Sequence, residues 1–324
     1  MKLRLFILFC LLSVWLFAET DVEKDGLRGA VRTCISSSFV PLENYEELVW
    51  IYENLWSEFF QKDFDEQGFL IREEDYADEQ TINRGSSYEY DENNLLIAIT
   101  DYDINGVYYF YQYTYDDSGK ILKEERYDAY DDLMNVLLYF YDERGFKIRS
   151  EELDSEGNCI SSYEYINNED GKPVEQKVFS ENELSSHAKI TYDENGNPTQ
   201  SWLYDGEENL VQTNQIAYNA NGDPKELVQN DLTASSTKKY IYSYNDKNKM
   251  VFAELIINDD FFSSEEYVYN EQGDDVKFVK FTPFDVVTYI YEYLYDEKGN
   301  WTQKIVYEND KPVKKYTRKI TYSE

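Results

Sequence analysis

The sequence predicts an all-β protein built of antiparallel β-hairpin repeats, forming an extended, twisted or spiralling sheet. Three observations carry that expectation: a turn-like motif that returns about every 26 residues, strict alternation in the segments between, and an excess of tyrosine. The 324 residues include 32 Tyr and 18 Phe against 6 Pro, 3 Met and 1 His, so much of any core is aromatic.

In chain order, Lys2 and Arg4 precede an apolar run from Leu5 to Ala18, and the chain turns polar from Glu19. That is the pattern of a signal peptide over residues 1–18, cut after Ala18. Fourteen apolar residues are too few for a spanning helix, which needs about 20. A lipoprotein attached through Cys10 would need a small residue where Phe9 stands. The expected location is therefore outside the cytoplasm: periplasm, cell surface or extracellular space. Loss of the leader removes two cations and leaves a net charge near -36.

Residues 19–63 lack the motif and read as an atypical N-terminal capping unit. They hold a strand at Val31–Phe39, a polar connector near Pro41–Glu47 and an aromatic run over Trp50–Phe60. A short amphipathic helix over Glu46–Phe60 fits that run about as well.

Residues 64–324 read as the repeat array. Turn-like stretches begin at Phe64, Tyr90, Tyr115, Tyr141, Tyr165, Tyr192, Tyr218, Tyr244, Tyr269 and Tyr295, with a truncated copy at Tyr322, at intervals of 24 to 27 residues. A period in this range marks a repeat architecture. Each turn has Asp or Asn after the aromatic, to cap the turn, and Gly or Asn three residues later, to accept positive φ. Outgoing strands such as Lys172–Phe179 and Asn197–Tyr204 lead to a second turn, for example Asp103–Gly106 or Asp154–Gly157. The chain returns through strands such as Tyr108–Tyr115. On the returning strands Tyr113, Tyr139, Tyr163, Ile190, Ile216, Tyr242, Tyr267, Tyr293 and Ile320 share one face, with polar residues such as Thr114, Glu164 and Thr191 between them.

With those residues in view, the array resembles the bacterial YD-repeat (Rhs-type) family, through the Tyr-x-Tyr-Asp-x-x-Gly core at Tyr113–Gly119, Tyr139–Gly145 and Tyr293–Gly299. The resemblance implies hairpin sheets that can spiral into a shell. The unit here is longer than that family's, and no toxin domain or self-cleavage segment is read after it. What the resemblance implies is therefore architecture, without toxin delivery.

Chemistry-bearing patterns are sparse. Asp193, Asn195 and Asn197 alternate as calcium ligands do, but Tyr204 stands where an EF-hand places its bidentate Glu, so turn capping explains them. His187 is the single histidine, which leaves no zinc cluster and no His-based triad. No phosphate-binding glycine motif is present. No catalytic, cofactor-binding or metal-binding residue is assigned, and an enzyme is not expected. Cys34 and Cys159 leave both a disulfide and two free thiols open. A net charge of -34 disfavours nucleic acid and anionic membrane.

The function expected from these readings is an exported, non-enzymatic binding or scaffold surface for a protein or cell-surface partner of basic character. A glycan or cell-wall binding module using exposed tyrosines is the alternative. An outer-membrane β-barrel ranks third, because acids such as Glu124, Glu125, Glu151 and Glu152 lie inside the strands. N-terminal sequencing of the exported protein is expected to begin at Glu19; an intact Met1 in a cytosolic fraction contradicts export.

Overall fold

A computed structural model describes residues 21–42, 48–53, 59–78 and 80–323. The expected leader, with Cys10, lies outside the described residues, as do several positions of the alternative helix; its described parts, Trp50–Tyr52 and Phe59 onward, are strand.

One short helix, α1 (Asp21–Lys24), precedes the strands β1 (Val31–Pro41), β2 (Trp50–Tyr52) and β3 (Phe59–Phe64). Hairpin units follow as β4–β5 (Leu70–Tyr76, Ile82–Tyr90), β6–β7 (Leu96–Asp103, Gly106–Tyr115), β8–β9 (Ile121–Asp128, Leu133–Tyr141) and β10–β11 (Lys147–Asp154, Cys159–Asn167). The next are β12–β13 (Pro173–Ser180, Glu183–Tyr192), β14–β15 (Pro198–Asp205, Leu210–Tyr218) and β16–β17 (Pro224–Asp231, Ser236–Tyr244). The last are β18–β19 (Met250–Ile257, Asp260–Tyr269), β20–β21 (Asp275–Phe281, Val286–Tyr295) and β22–β23 (Trp301–Glu308, Lys311–Tyr322). The all-β hairpin repeat is as expected, with strand ends displaced by one or two residues.

The turns form as their residues require. Asp116 Oδ1 accepts from the N–H groups of Ser118 and Lys120, and Asp142 and Asp193 do the same in their own units. Gly119, at φ 82°, takes the left-handed position, which Asn94 and Asn248 fill elsewhere. One turn departs from the reading at Tyr165. Its cap is Asn168 and its glycine Gly171, so Asn167 occupies the aromatic position and Tyr165 belongs to the ladder. Asn167 keeps the ordinary spacing from Tyr141 but is not aromatic, and Tyr163-x-Tyr165, two residues earlier, imitates the usual Tyr-x-Tyr lead.

A second link joins the two strands of one hairpin, from the end of the returning strand to the start of the outgoing one. Tyr115, Tyr141, Tyr192, Tyr218 and Tyr244 donate from their hydroxyls to the carbonyls of Leu96, Ile121, Pro173, Pro198 and Pro224, at 2.7 to 2.8 Å. Those carbonyls belong to the first residue of the preceding outgoing strand, where a β-bulge interrupts the ladder. Asn167 makes the equivalent bond to Lys147 through its amide. Proline suits that first position because a bulge there needs no N–H.

The sheet is not extended. β1 pairs antiparallel with β3 on one side and with β23 on the other, so twenty-two strands close into a barrel and β2 hangs on the far end of β1. The register steps by two residues per unit: Tyr113 pairs with Glu124, and Glu124 with Leu137, one ladder pair short of Tyr139. That stagger tilts the strands, as closure demands. A helpful consequence is that no long edge remains open.

The seam holds the densest packing. Val22, Leu27, Val31, Cys34 and Phe64 are buried together, with Leu70, Ile320 and Tyr322 against them. Asn300 accepts from Arg28 N–H at 2.7 Å and donates to the Arg28 carbonyl at 2.8 Å, joining the N-terminal segment to the last main turn. Asp21 accepts from Leu70 N–H, joining it to β4.

Elsewhere the wall is one layer thick. Every extensive strand contact is with a ladder neighbour. The accessible surface is 21145 Å², about half again the roughly 14,000 Å² of a compact monomer of this mass. Eight strands leave a barrel just filled by side chains, so a ring of this size encloses a lumen. Phe64→Ala is expected to cost about 3–5 kcal/mol, with faster amide exchange at β1, β3 and β23. Tyr218→Phe, far from the seam, is expected to cost about 0.5–1.5 kcal/mol; urea titration of both variants checks the order.

Candidate functional site

Residues directly opposite in a ladder share a face, and this sorts the wall into two. The tyrosine face holds Tyr113, Tyr139, Tyr242, Tyr267 and Tyr293, as expected, but also the cross-strand partners Glu124, Ser150 and Lys304. Aromatic rings therefore alternate with polar side chains from the outgoing strands. The other face carries Lys123, Glu125, Arg149, Glu151 and Lys177 opposite Thr114, Gln112, Glu164, Ser162 and Glu164. Both faces are charged at mid-strand.

The cations of the tyrosine face lie over rings. Arg126 stands 3.8 Å from the Tyr109 centroid, and Lys304 stands 4.2 Å from Tyr291 and 5.3 Å from Tyr293. Burial lowers the Lys304 pKa, opposed by Asp275 at 3.9 Å. Burial likewise pushes Tyr291 up to about 12 and raises Tyr293 further.

Around these residues runs a groove of about 510 Å³, lined by Phe278, Tyr289, Tyr291, Tyr316, Lys304 and Lys314, with Val40 and Glu53 from the β1–β2 arm. Glu53 pairs with Lys314 at 2.7 Å, pinning that arm beside the wall. Chemically this is an aromatic platform flanked by cations. Sequence reasoning named the neighbouring Tyr293 and none of the groove's own rings or lysines, although Tyr289, Tyr291 and Lys304 fall on the same alternation as Tyr293 and were visible in that parity.

A buried polar network sits near the seam. Asp63, 8% exposed, accepts from Thr33, Gln61 and Arg72, and Glu74, 2% exposed, accepts from Tyr76 and Tyr102 with Arg72 at 3.5 Å. Burial opposes ionisation of Asp63, yet its three hydrogen-bond donors win and lower its pKa. Gly85 makes room for this network: a Cβ there would lie 2.7 Å from Glu74 Cγ. With the carboxylates engaged in this way, the network fastens β1, β3, β4 and β6 across Gly85 of β5 and offers no free catalytic group.

The other sequence candidates are placed as follows. Asp193 caps its turn, and Asn197 donates to it through its amide at 3.2 Å, so the trio is occupied by the turn. His187 stacks on Tyr204 and lies 3.1 Å from Glu175. Cys34 and Cys159 are free thiols. Among the described residues no group of three or more His, Cys, Asp or Glu is arranged to hold a metal ion.

No family model matches the chain, and no curated protein matches it. Among solved structures, the TcdB2-TccC3-Cdc42 complex is similar at 11% identity and a TM-score of 0.29, over 79% of this chain and 19% of that one. A porin-like protein from Bacteroides uniformis is similar at 11% identity and a TM-score of 0.27, over 90% and 98%. One from Bacteroides vulgatus is similar at 10% and 0.22, over 91% and 99%. Likenesses this distant carry no argument about this chain.

The expected function is corrected here. An open sheet offering an extended scaffold surface is overturned by the closure of β1 onto β23 and β3. The ladder tyrosines Tyr113, Tyr139, Tyr242, Tyr267 and Tyr293 are half-buried in that wall, and Tyr163 alone of the set is exposed. Turn tyrosines such as Tyr141 and Tyr218 have their hydroxyls bonded to backbone, so the ladder does not present a continuous exposed tyrosine array for glycan stacking.

The pH response follows from the shifts. Tyr192, Tyr218 and Tyr242 are pushed up to about 12, by burial. A raised folded pKa means stability intact below the unfolded value near 10 and lost as pH climbs toward about 12. Asp116, Asp142 and Asp193 are lowered, first by backbone N–H bonds. Their contribution is present above about pH 4 and fades below it. Tyrosinate absorbance is expected to rise together with loss of β circular dichroism at the alkaline end; ionisation near pH 10 with the fold intact contradicts the buried ladder.

Proposed function

We propose that the chain is an exported β-barrel of the cell envelope that works as a hollow vessel, with water on both faces of its wall and the enclosed space as its working part. The observation that carries this reading is the closed single-layered ring, whose twenty-two strands pack only with their ladder neighbours among extensive contacts. Such a ring has no second layer to bury and no edge to offer, so what it supplies is enclosure.

The alternative is a barrel embedded in the outer membrane. Closure, an even strand number and hairpin strands mostly of eight to ten residues favour it, since a spanning β-strand needs about 9–11. The charge pattern opposes it. A lipid-facing charge near mid-bilayer costs about 2–4 kcal/mol when it is Lys or Arg. The tyrosine face would expose Arg126, Lys280 and Lys304, and the other face Lys123, Arg149 and Lys177. Whichever face met lipid, several such charges would lie within the band.

Solution scattering of the mature protein without detergent is expected to show a hollow particle that stays monomeric. Stable incorporation into liposomes with single-channel conductance, and precipitation in its absence, would replace the vessel with the membrane barrel. A compact, filled scattering profile would remove both.

A further inference from the structure

The two mouths of the barrel differ in chemistry. The main turns, such as 116–120, 142–146 and 245–249, mix acids with Lys120, Arg144, Lys247 and Lys249 and carry no exposed large apolar side chain. The second turns at the opposite mouth carry many. The sharpest sector comes from three successive units: the turns after β16 and β20, where Leu232 is 48% exposed and Phe284 96%, and the start of β19 between them, where Phe262 is 53% exposed. These apolar tips are interleaved with Asp231, Asp259, Asp260 and Asp285, and turns 231–236, 257–260 and 281–286 contain no Lys or Arg.

The tips are held rigidly. Asn258 and Asp259 both have positive φ, at 52° and 68°, forming a two-residue hairpin turn. Asn258 bonds to the neighbouring unit through both its backbone N–H, to the Thr237 carbonyl at 2.9 Å, and its side chain, from Thr237 N–H at 2.8 Å. Thr282 Oγ1 accepts from the N–H groups of Phe284 and Asp285, at 3.3 and 3.0 Å, so the most exposed ring stands on a fixed turn. Rigid presentation reduces the ordering cost of binding.

We propose that this sector of the rim docks a polypeptide partner, specifically a basic amphipathic segment. Its apolar stripe covers Leu232, Phe262 and Phe284, and its Lys or Arg residues pair with the interleaved aspartates. Charge complementarity selects this occupant. A second copy of the rim would set aspartate against aspartate, and an anionic lipid surface would be repelled by the same groups. The inference concerns the mouth and stands whether the lumen is a vessel or a conduit.

The test uses the mature full chain and a synthetic amphipathic Lys/Leu peptide, with a peptide of the same composition scrambled to break its apolar stripe. Leu232→Ser, Phe262→Ser and Phe284→Ser combined are expected to weaken the amphipathic peptide by about tenfold or more at about 0.15 M salt. Glu92→Gln, Glu143→Gln and Glu194→Gln combined, at the other mouth, remove three acids and are expected to change it by less than about twofold. Circular dichroism confirms that both variants fold. Equal binding of the scrambled peptide reduces the effect to net charge and overturns the proposal; so does a rim variant that binds as well as the parent, or a loss in the other-mouth variant as large as in the rim variant, since neither places the contact at these apolar tips. So does phosphatidylcholine-vesicle binding, or concentration-dependent dimerisation in sedimentation, that the rim variant abolishes.

Discussion

The hydroxyl of Tyr141 reaches across its own hairpin to the carbonyl of Ile121 at 2.8 Å, and the same bond recurs at Tyr115, Tyr192, Tyr218 and Tyr244. It answers a problem that a bulged, single-layered sheet creates for itself. The bulge that twists each hairpin leaves the first carbonyl of the outgoing strand off the ladder, and an unmade hydrogen bond is costly where a ring covers it. The tyrosine fills both roles, ring over the turn and hydroxyl on the carbonyl. Asp at the next position then caps the turn, which is why the two residues travel together along the chain.

Closure solves the remaining problem. A sheet made of successive hairpins has two free edges, and the residues that join them are those of the atypical first unit. β1 lies between β3 and β23, while Asp21, Arg28 and Asn300 tie the segment before it to both flanks. The buried apolar cluster gathers here and not along the ring. A closed wall can depend on in-plane packing elsewhere, provided that its joint is dense.

The wall's chemistry follows from its thinness. With no opposing layer, neither face has to be apolar throughout, so lysines and glutamates sit opposite tyrosines without penalty as long as water or a ring meets them. Lys304 over Tyr291 and Arg126 over Tyr109 are such accommodations. The same freedom leaves the turns to diverge, the main turns without exposed large apolar residues and the opposite mouth tipped with Phe284 and Phe262.

Local structure was legible in the residues alone. Turn capping by Asp or Asn, positive φ at glycine and the alternation of Tyr113 or Tyr293 depend on near neighbours in sequence, so period and spacing determined them. Tyr165 misled because the true turn position, Asn167, is not aromatic, while Tyr163-x-Tyr165 two residues earlier has the usual local appearance. What the tertiary structure alone decided was non-local: the return of β1 to β23, the arm that pins Glu53 to Lys314, and the gathering of Leu232, Phe262 and Phe284 at one mouth. Closure depends on the stagger summed over every unit, a small quantity in any one hairpin and a decisive one around the ring. An open spiral and a closed barrel share the same hairpins, so the repeat by itself could not choose between them.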